Sequence, residues 1–231
     1  MDFVADGPTA IPLWMNGHAF LTVSDSFLDV INPQTGVAIH RIPLAGADEA
    51  LQTVAAAQAA QPGWAEMGLA ARRVCLSRLA DALEEFTDHF ATLLRNETGF
   101  DQERAAVEVS AALAALRGTS VGATGVAAVV VDATRPLAGL AEAMAPALMA
   151  GAALVIKPSP KAPSTAYALC ELSARAEWPA GVLNLLQGDT EAVKGLCASG
   201  IDRLIFVGAP ALGAQVAVLA EAAGKAFEQR Q

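Results

Sequence analysis

The amino-acid sequence predicts an α/β fold, a doubly wound parallel sheet with an N-terminal β-hairpin and helices. Two observations carry this expectation. Beyond Gly118 the chain contains four short, largely aliphatic runs, residues 127–131, 153–156, 182–186 and 204–207, that do not alternate polar with apolar side chains. A strand solvated on one face alternates, whereas a strand covered on both faces does not, so these runs read as interior strands. Helical segments, residues 136–149, 164–178 and 190–198, lie between the runs, and a last one, residues 212–223, follows them. Alternation of strand and helix is the pattern of a parallel sheet, because parallel neighbours need a crossover connection.

The elements follow in order, with residues 1–118 expected to form a hairpin and helical segment and residues 119–231 the sheet domain. The first extended stretches, Leu13 to Met15 and Phe27 to Ile31, are punctuated by Asn16-Gly17 and by Asn32-Pro33-Gln34-Thr35-Gly36. Asn-Gly, Asn-Pro and Thr-Gly are turn signals, so short β segments are expected between them. Asp48 is a candidate N-cap for a helix reaching Ala60. Leu76, Leu79, Leu83, Phe86, Phe90 and Leu93 recur at alternating steps of three and four, with Arg78, Asp81, Glu84, Glu85 and Asp88 mostly on the opposite face. That spacing predicts one long amphipathic helix, ended by Gly99. Residues 100–116 give a third helix. Residues 137–156 approach the length of a membrane span, but they contain Glu142, Pro146 and Gly151. They are read as a buried helix, a glycine turn and a buried strand.

Composition removes several function classes. In 231 residues, 54% apolar content with 17% charge excludes a disordered chain, and a net charge of −9 argues against general affinity for nucleic acid or anionic membranes. Neither end reads as a targeting element, so a cytoplasmic location is expected. Cys75, Cys170 and Cys197 lie far apart without CxxC spacing, which speaks against a disulfide framework or a zinc site. They read as small buried thiols rather than nucleophiles. His18, His40 and His89 are scattered, and no nucleophile with an adjacent base stands out.

In an open parallel sheet, ligands bind beyond the carboxyl ends of the strands. The residues there are Asp132-Ala133-Thr134, Lys157-Pro158-Ser159, Gln187-Gly188-Asp189 and Gly208-Ala209-Pro210. A lysine ending a buried strand must meet solvent, a carboxylate or a ligand oxygen, so Lys157 reads either as a contact to a nucleotide or as a side chain reaching the rim. Gly208 lies between a strand and a helix with Pro210 in its first turn. It reads either as a seat for a pyrophosphate on free backbone N–H groups or as a plain tight turn.

Taken in order, the motifs resemble the coenzyme-binding, N-terminal half of the NAD(P)-dependent aldehyde dehydrogenases. Trp14-Met15-Asn16-Gly17 is similar to that family's opening hairpin, and Asn32-Pro33-Gln34-Thr35-Gly36 to its Asn-Pro-x-Thr-Gly turn. Trp64, Arg72-Arg73, Leu79-Ala80-Asp81 and Glu97-Thr98-Gly99 resemble its first long helix and the end of it. Ala145-Pro146 through Gly151, Lys157-Pro158-Ser159, Pro179-Ala180-Gly181 through Asn184, and Phe206-Val207-Gly208 follow at family-like spacing. The resemblance implies a Rossmann-like coenzyme domain, with Lys157, Ser159, Gly188, Gly208 and Ala209 as the coenzyme-binding positions.

The departures from the family pattern shape the functional expectation. Members are about twice this length, and their catalytic cysteine lies in the half this sequence does not match, so no cysteine here corresponds to it. Thr134 stands where the family's Pro-Trp-Asn-Phe-Pro segment supplies an oxyanion-stabilising Asn. Pro160 replaces the glutamate of Lys-Pro-Ser-Glu, Ala209 replaces the serine of Phe-Thr-Gly-Ser, and Phe227 to Gln231 stand in place of the Glu-Leu-Gly-Gly motif. Between Arg117 and Val126 the β excursion used in family subunit contacts is absent, so the usual dimer geometry is not expected. The resemblance therefore implies no catalytic residue, weak or lost binding of NAD or NADP, and an inactive structural or regulatory subunit. Its partner would be a second copy or a full-length aldehyde dehydrogenase. The alternatives are the NAD(P)-binding half of a split dehydrogenase and a nucleotide-binding sensor.

Overall fold

The computed structural model describes residues 7–22 and 26–231; the first six residues, part of the N-terminal stretch read above for a targeting signal, lie outside them. The turn signals act as expected. Asn16 and Gly17 both take positive φ (52° and 79°), joining strands β1 (Leu13–Met15) and β2 (His18–Phe20) in a tight hairpin. The Asn32 side chain accepts hydrogen bonds from the N–H groups of Gln34 and Thr35 (2.9 and 3.2 Å), turning the chain from β3 (Phe27–Ile31) into β4 (Ala38–Pro43). These two strands pair antiparallel in a separate two-stranded sheet.

The main sheet has seven strands in the order β2-β1-β7-β6-β5-β8-β9. Its parallel part comprises β5 (Val126–Val131), β6 (Ala153–Lys157), β7 (Leu183–Leu185), β8 (Arg203–Val207) and β9 (Ala226–Arg230). The four strands read from the sequence are present, and three more join them. The N-terminal hairpin enters through β1, antiparallel to β7 at Trp14 and Leu185. Strand β9, Ala-Phe-Glu-Gln-Arg, carries no aliphatic run because it lies at the sheet edge, largely exposed, and is defined by backbone pairing with β8.

The chain forms eight helices among the described residues: α1 (Ala47–Glu66), α2 (Gly68–Glu85), α3 (Thr87–Thr98), α4 (Gln102–Leu116), α5 (Ala138–Met149), α6 (Ser164–Arg175), α7 (Thr190–Ala198) and α8 (Pro210–Ala222). Two differ from the sequence reading in an instructive way. The N-cap of α1 is Gly46, not Asp48; the Glu49 carboxylate reaches back to accept the Gly46 N–H (2.9 Å), leaving Asp48 in the first turn. The helix also runs past Ala60 and through Pro62, because its far end is anchored by Trp64, which is buried, donates to the Leu148 carbonyl (3.0 Å) and stacks on Trp178. The long amphipathic helix is two helices broken at Phe86 (φ −107°, ψ 20°), with the Thr87 hydroxyl donating to the Glu84 carbonyl freed by the break. The apolar stripe holds on either side of the break, where Leu83 and Phe90 are buried, while Phe86 at the break itself is exposed. A stripe records which face is covered; it does not record continuity of the backbone.

Both faces of the sheet are covered, and successive residues of β5 show why its sequence does not alternate. Ala127, Val129 and Val131 pack into the core beneath α2 to α6, while Val126, Ala128 and Val130 pack into the core beneath α1, α7 and α8. Arg72 ties the α1 and α5 ends together. It is buried and donates to Met149 O (3.0 Å), Trp64 O (3.2 Å) and Ala65 O (2.7 Å), carbonyls left free at two helix C-termini. The stretch 137–156 resolves into α5, a turn at Gly151 (φ 91°) and β6, and no helix among the described residues is long and apolar enough to cross a membrane.

Candidate ligand site at the strand ends

The chain builds the parallel sheet outward from β5 through β6 to β7, then returns to the other side of β5 with β8. The connections leaving β5 and β8 thus run in opposite directions, which opens a crevice at their carboxyl ends, the usual ligand position in open α/β sheets. A cavity of about 200 Å³ lies there. Val130, Val193, Phe206, Leu212 and Val216 form its apolar walls, and Asp132, Lys157, Ser159 and Asp189 its polar margin.

The structure brings Lys157 and Ser159 together at this cavity, and both already have protein partners. Lys157 is 5% exposed, and its ammonium donates to the Pro158 carbonyl (3.0 Å). Burial pushes this amine down to about 8, against the opposing pull of Asp189. The Ser159 hydroxyl accepts the Lys161 N–H (3.2 Å) in its own turn. Gly188 stands apart from the cavity walls: its φ is +122°, and a side chain there would meet Ala45 O at 3.1 Å and the Ala192 Cβ at 3.0 Å. Gly208 (φ +144°) and Ala209, the N-cap of α8, lie at the start of α8, where backbone N–H groups point out of the helix.

Asp132 occupies that helix start. Val131 and Val207 are register partners across β5 and β8, so the next residues, Asp132 and Gly208, come face to face. The Asp132 carboxylate accepts the Ala209 N–H at 2.7 Å through Oδ2, and through Oδ1 it accepts the Thr134 N–H at 2.8 Å and the Thr134 hydroxyl at 2.5 Å. A side chain on Gly208 would place its Cβ 2.2 Å from the Asp132 Cγ, so glycine is required there by the carboxylate beside it. In the sequence Asp132 stands out only as a residue that follows a strand. The signal that singles it out is an acidic residue one step beyond one strand and, in register, a glycine one step beyond its neighbour.

The remaining candidates do not converge on the crevice. Cys75, Cys170 and Cys197 are all buried free thiols, and burial is the first cause that raises each of them. His40 and His89, far apart in sequence, line one shallow groove with Tyr167 and Glu171, separate from the crevice. Glu228 is exposed on β9 and pairs with Arg230 (2.7 Å).

Fold and crevice define a doubly wound, Rossmann-like α/β domain. Residues 20–123 and 118–228 match the model of the aldehyde dehydrogenase family, and the chain belongs to that family. It is 29% identical over 209 residues to lactaldehyde dehydrogenase of Escherichia coli, covering 80% of this chain and 44% of that protein. It is 33% identical over 204 residues to malonate-semialdehyde dehydrogenase of Pseudomonas aeruginosa, covering 78% and 41%. Among solved structures, E. coli lactaldehyde dehydrogenase superimposes with a TM-score of 0.90 at 25% identity, covering 96% of this chain and 52% of that one. A mutant of aldehyde dehydrogenase C from Pseudomonas syringae, in complex with NAD+ and octanal, does so with a TM-score of 0.85 at 28% identity, covering 96% and 50%. The chain spans about half the length of the relatives it matches.

Proposed function

We propose that this chain is a non-catalytic member of the aldehyde dehydrogenase family, a structural or regulatory subunit that associates with a second copy or with a full-length dehydrogenase. On this reading NAD or NADP binds weakly or not at all. The observation that carries it is the state of Thr134. Thr134 stands at the position of the family's oxyanion-stabilising Asn, yet its single hydroxyl proton is directed at Asp132 Oδ1 (2.5 Å), and its N–H goes to the same oxygen (2.8 Å). Stabilising a developing oxyanion requires a donor aimed at the reacting oxygen, and here both donors are committed inward.

Other residues support the same reading. The relative from P. syringae holds NAD+ in its structure; in this chain Pro160 and Ala209 replace two side chains that contact the coenzyme in the family pattern. The buried thiols offer no accessible nucleophile among the described residues. Association is supported by apolar side chains left open on α8, Leu212 at the rim of the crevice and Val218 elsewhere on the helix, at 42% and 63% exposure.

Incubation of the purified chain with short aldehydes and NAD or NADP, alone and with a full-length dehydrogenase whose cysteine has been alkylated, tests the catalytic part. No nucleotide reduction is expected, and aldehyde-dependent NADH or NADPH formation would overturn it. Light scattering tests the association part. A mass at or above twice the 23.6 kDa of one chain, or co-elution with a dehydrogenase, is expected; a lone monomer at micromolar concentration that co-elutes with no dehydrogenase refutes it.

A further inference from the structure

We propose that Asp132 is a built-in anion that takes the place of a ligand phosphate at the start of α8 and sets the β5/β8 crevice against phosphate-bearing ligands. The inference rests on the family reading of this crevice, and it concerns what the crevice admits rather than whether the chain catalyses. Three observations meet at one point. The carboxylate accepts the Ala209 N–H at 2.7 Å, so the N-cap donor at the mouth of a thirteen-residue helix is already satisfied, and Pro210 after it has no N–H to offer. It also fills the space over Gly208, where a Cβ would lie 2.2 Å from its Cγ; the bare glycine backbone that would let a phosphate approach is covered by a side chain of the protein. Finally, Asp132 is 8% exposed and held by two further hydrogen bonds from Thr134, so it is fixed in this position.

The electrostatics act in the same direction. A helix start favours one negative charge, and that preference is met by Asp132. A diphosphate entering the crevice would face Asp132 and Asp189 across the cavity, with Lys157 as the opposing cation on its margin. Like charges in a partly desolvated crevice repel strongly, so the phosphate must either displace the carboxylate or stay out. The apolar walls carry no such conflict, and the cavity remains open to uncharged ligands.

A purely structural role for Asp132, stapling the 132–134 turn, makes a different prediction: its loss would lower stability without changing anion affinity. Calorimetric titration separates the two. Wild type, Asp132→Ala and Asp132→Asn are each titrated with ADP, inorganic pyrophosphate and adenosine, and folding is checked by circular dichroism. Asp132→Ala vacates the seat, and we expect ADP and pyrophosphate to bind it at least tenfold more tightly than wild type. Asp132→Asn keeps the size and an acceptor but loses the charge, so a smaller gain in the same direction is expected, and it carries the test if the alanine variant does not fold. Adenosine affinity should be the same in all three proteins. Unchanged ADP and pyrophosphate affinity in the folded variants overturns the proposal, as does a gain shared equally by adenosine, which would mean that Asp132 acts on cavity shape. The titrations involve neither aldehyde nor turnover, so unchanged affinities in the folded variants would overturn this inference and leave the proposed lack of catalysis standing.

Discussion

Replacing Glu97 with glutamine is expected to stabilise the protein, and to do so more at high pH than at low. Glu97 lies in the last turn of α3 at 4% exposure, where its carboxylate accepts the Ser164 N–H (3.1 Å) and the Ser164 hydroxyl at the start of α6. Burial raises its carboxyl from 4.5 to about 7, in spite of both hydrogen bonds from Ser164. Between those values the folded state keeps a proton that the unfolded state releases. The stability tied to this proton is therefore fully present below about pH 4.5 and is lost as pH rises through about 7. At about 1.4 kcal/mol per pH unit, the displacement corresponds to about 3 kcal/mol at pH 8 and to about 1 kcal/mol at pH 5.5. The α6 N-terminus favours the ionised form, but typically by only about 1 kcal/mol, which does not reverse the sign. Glutamine is neutral throughout, and its carbonyl and amide can keep both Ser164 contacts. Urea unfolding of wild type and Glu97→Gln at pH 5.5 and 8 should show a stability gain that grows by about 2 kcal/mol between the two. For a chain of 231 residues, the gain at pH 8 amounts to roughly 6–12 °C in Tm. A gain of equal size at both pH values, or a loss at both, refutes the reasoning.

Further outcomes follow from the same structure. Arg72→Ala strips donors from three carbonyls at the ends of α1 and α5, so a loss of at least about 3 kcal/mol is expected in urea unfolding. Gly208→Ala forces a Cβ into the Asp132 carboxylate at a positive φ, for a loss of about 2–4 kcal/mol; adding Asp132→Ala should recover part of it, which a double-mutant cycle on chemical stability measures. A disulfide reagent at neutral pH should label the three cysteines slowly in the native protein and all of them in denaturant, because burial shields each thiol and raises it. Fast labelling of one thiol in the native state would contradict the assigned packing.

Much of the fold was legible along the chain because it depends on local pattern. The aliphatic runs of β5, β6 and β8 are buried on both faces, and each is visible without knowing its neighbours. The turns at Asn16-Gly17 and Asn32 follow from residue types that tolerate positive φ or hydrogen-bond their own backbone. The family itself is written in the order of these motifs. Strand β9 was hidden because an edge strand needs no apolar run, and the break at Phe86 because it preserves the phase of the stripe. The α1 extension past Ala60 depends on Trp64 reaching Leu148, 84 residues away.

The candidate site divides along the same line. Sequence by itself placed Lys157, Ser159, Gly188, Gly208 and Ala209 after strands, and the resemblance to the family matched Thr134 to the position of its oxyanion-stabilising Asn. Only the tertiary structure turned Gly188 toward Ala45, curled Lys157 onto Pro158 and committed Thr134 to Asp132. The contact between Asp132 and Ala209 joins residues 77 apart, and it exists because strand order makes β5 and β8 neighbours and their register sets Val131 beside Val207. Periodicity and turn chemistry act over a few residues and are therefore read from the chain. Which carboxylate meets which helix start is decided by sheet order and register, which arise only when distant segments pack.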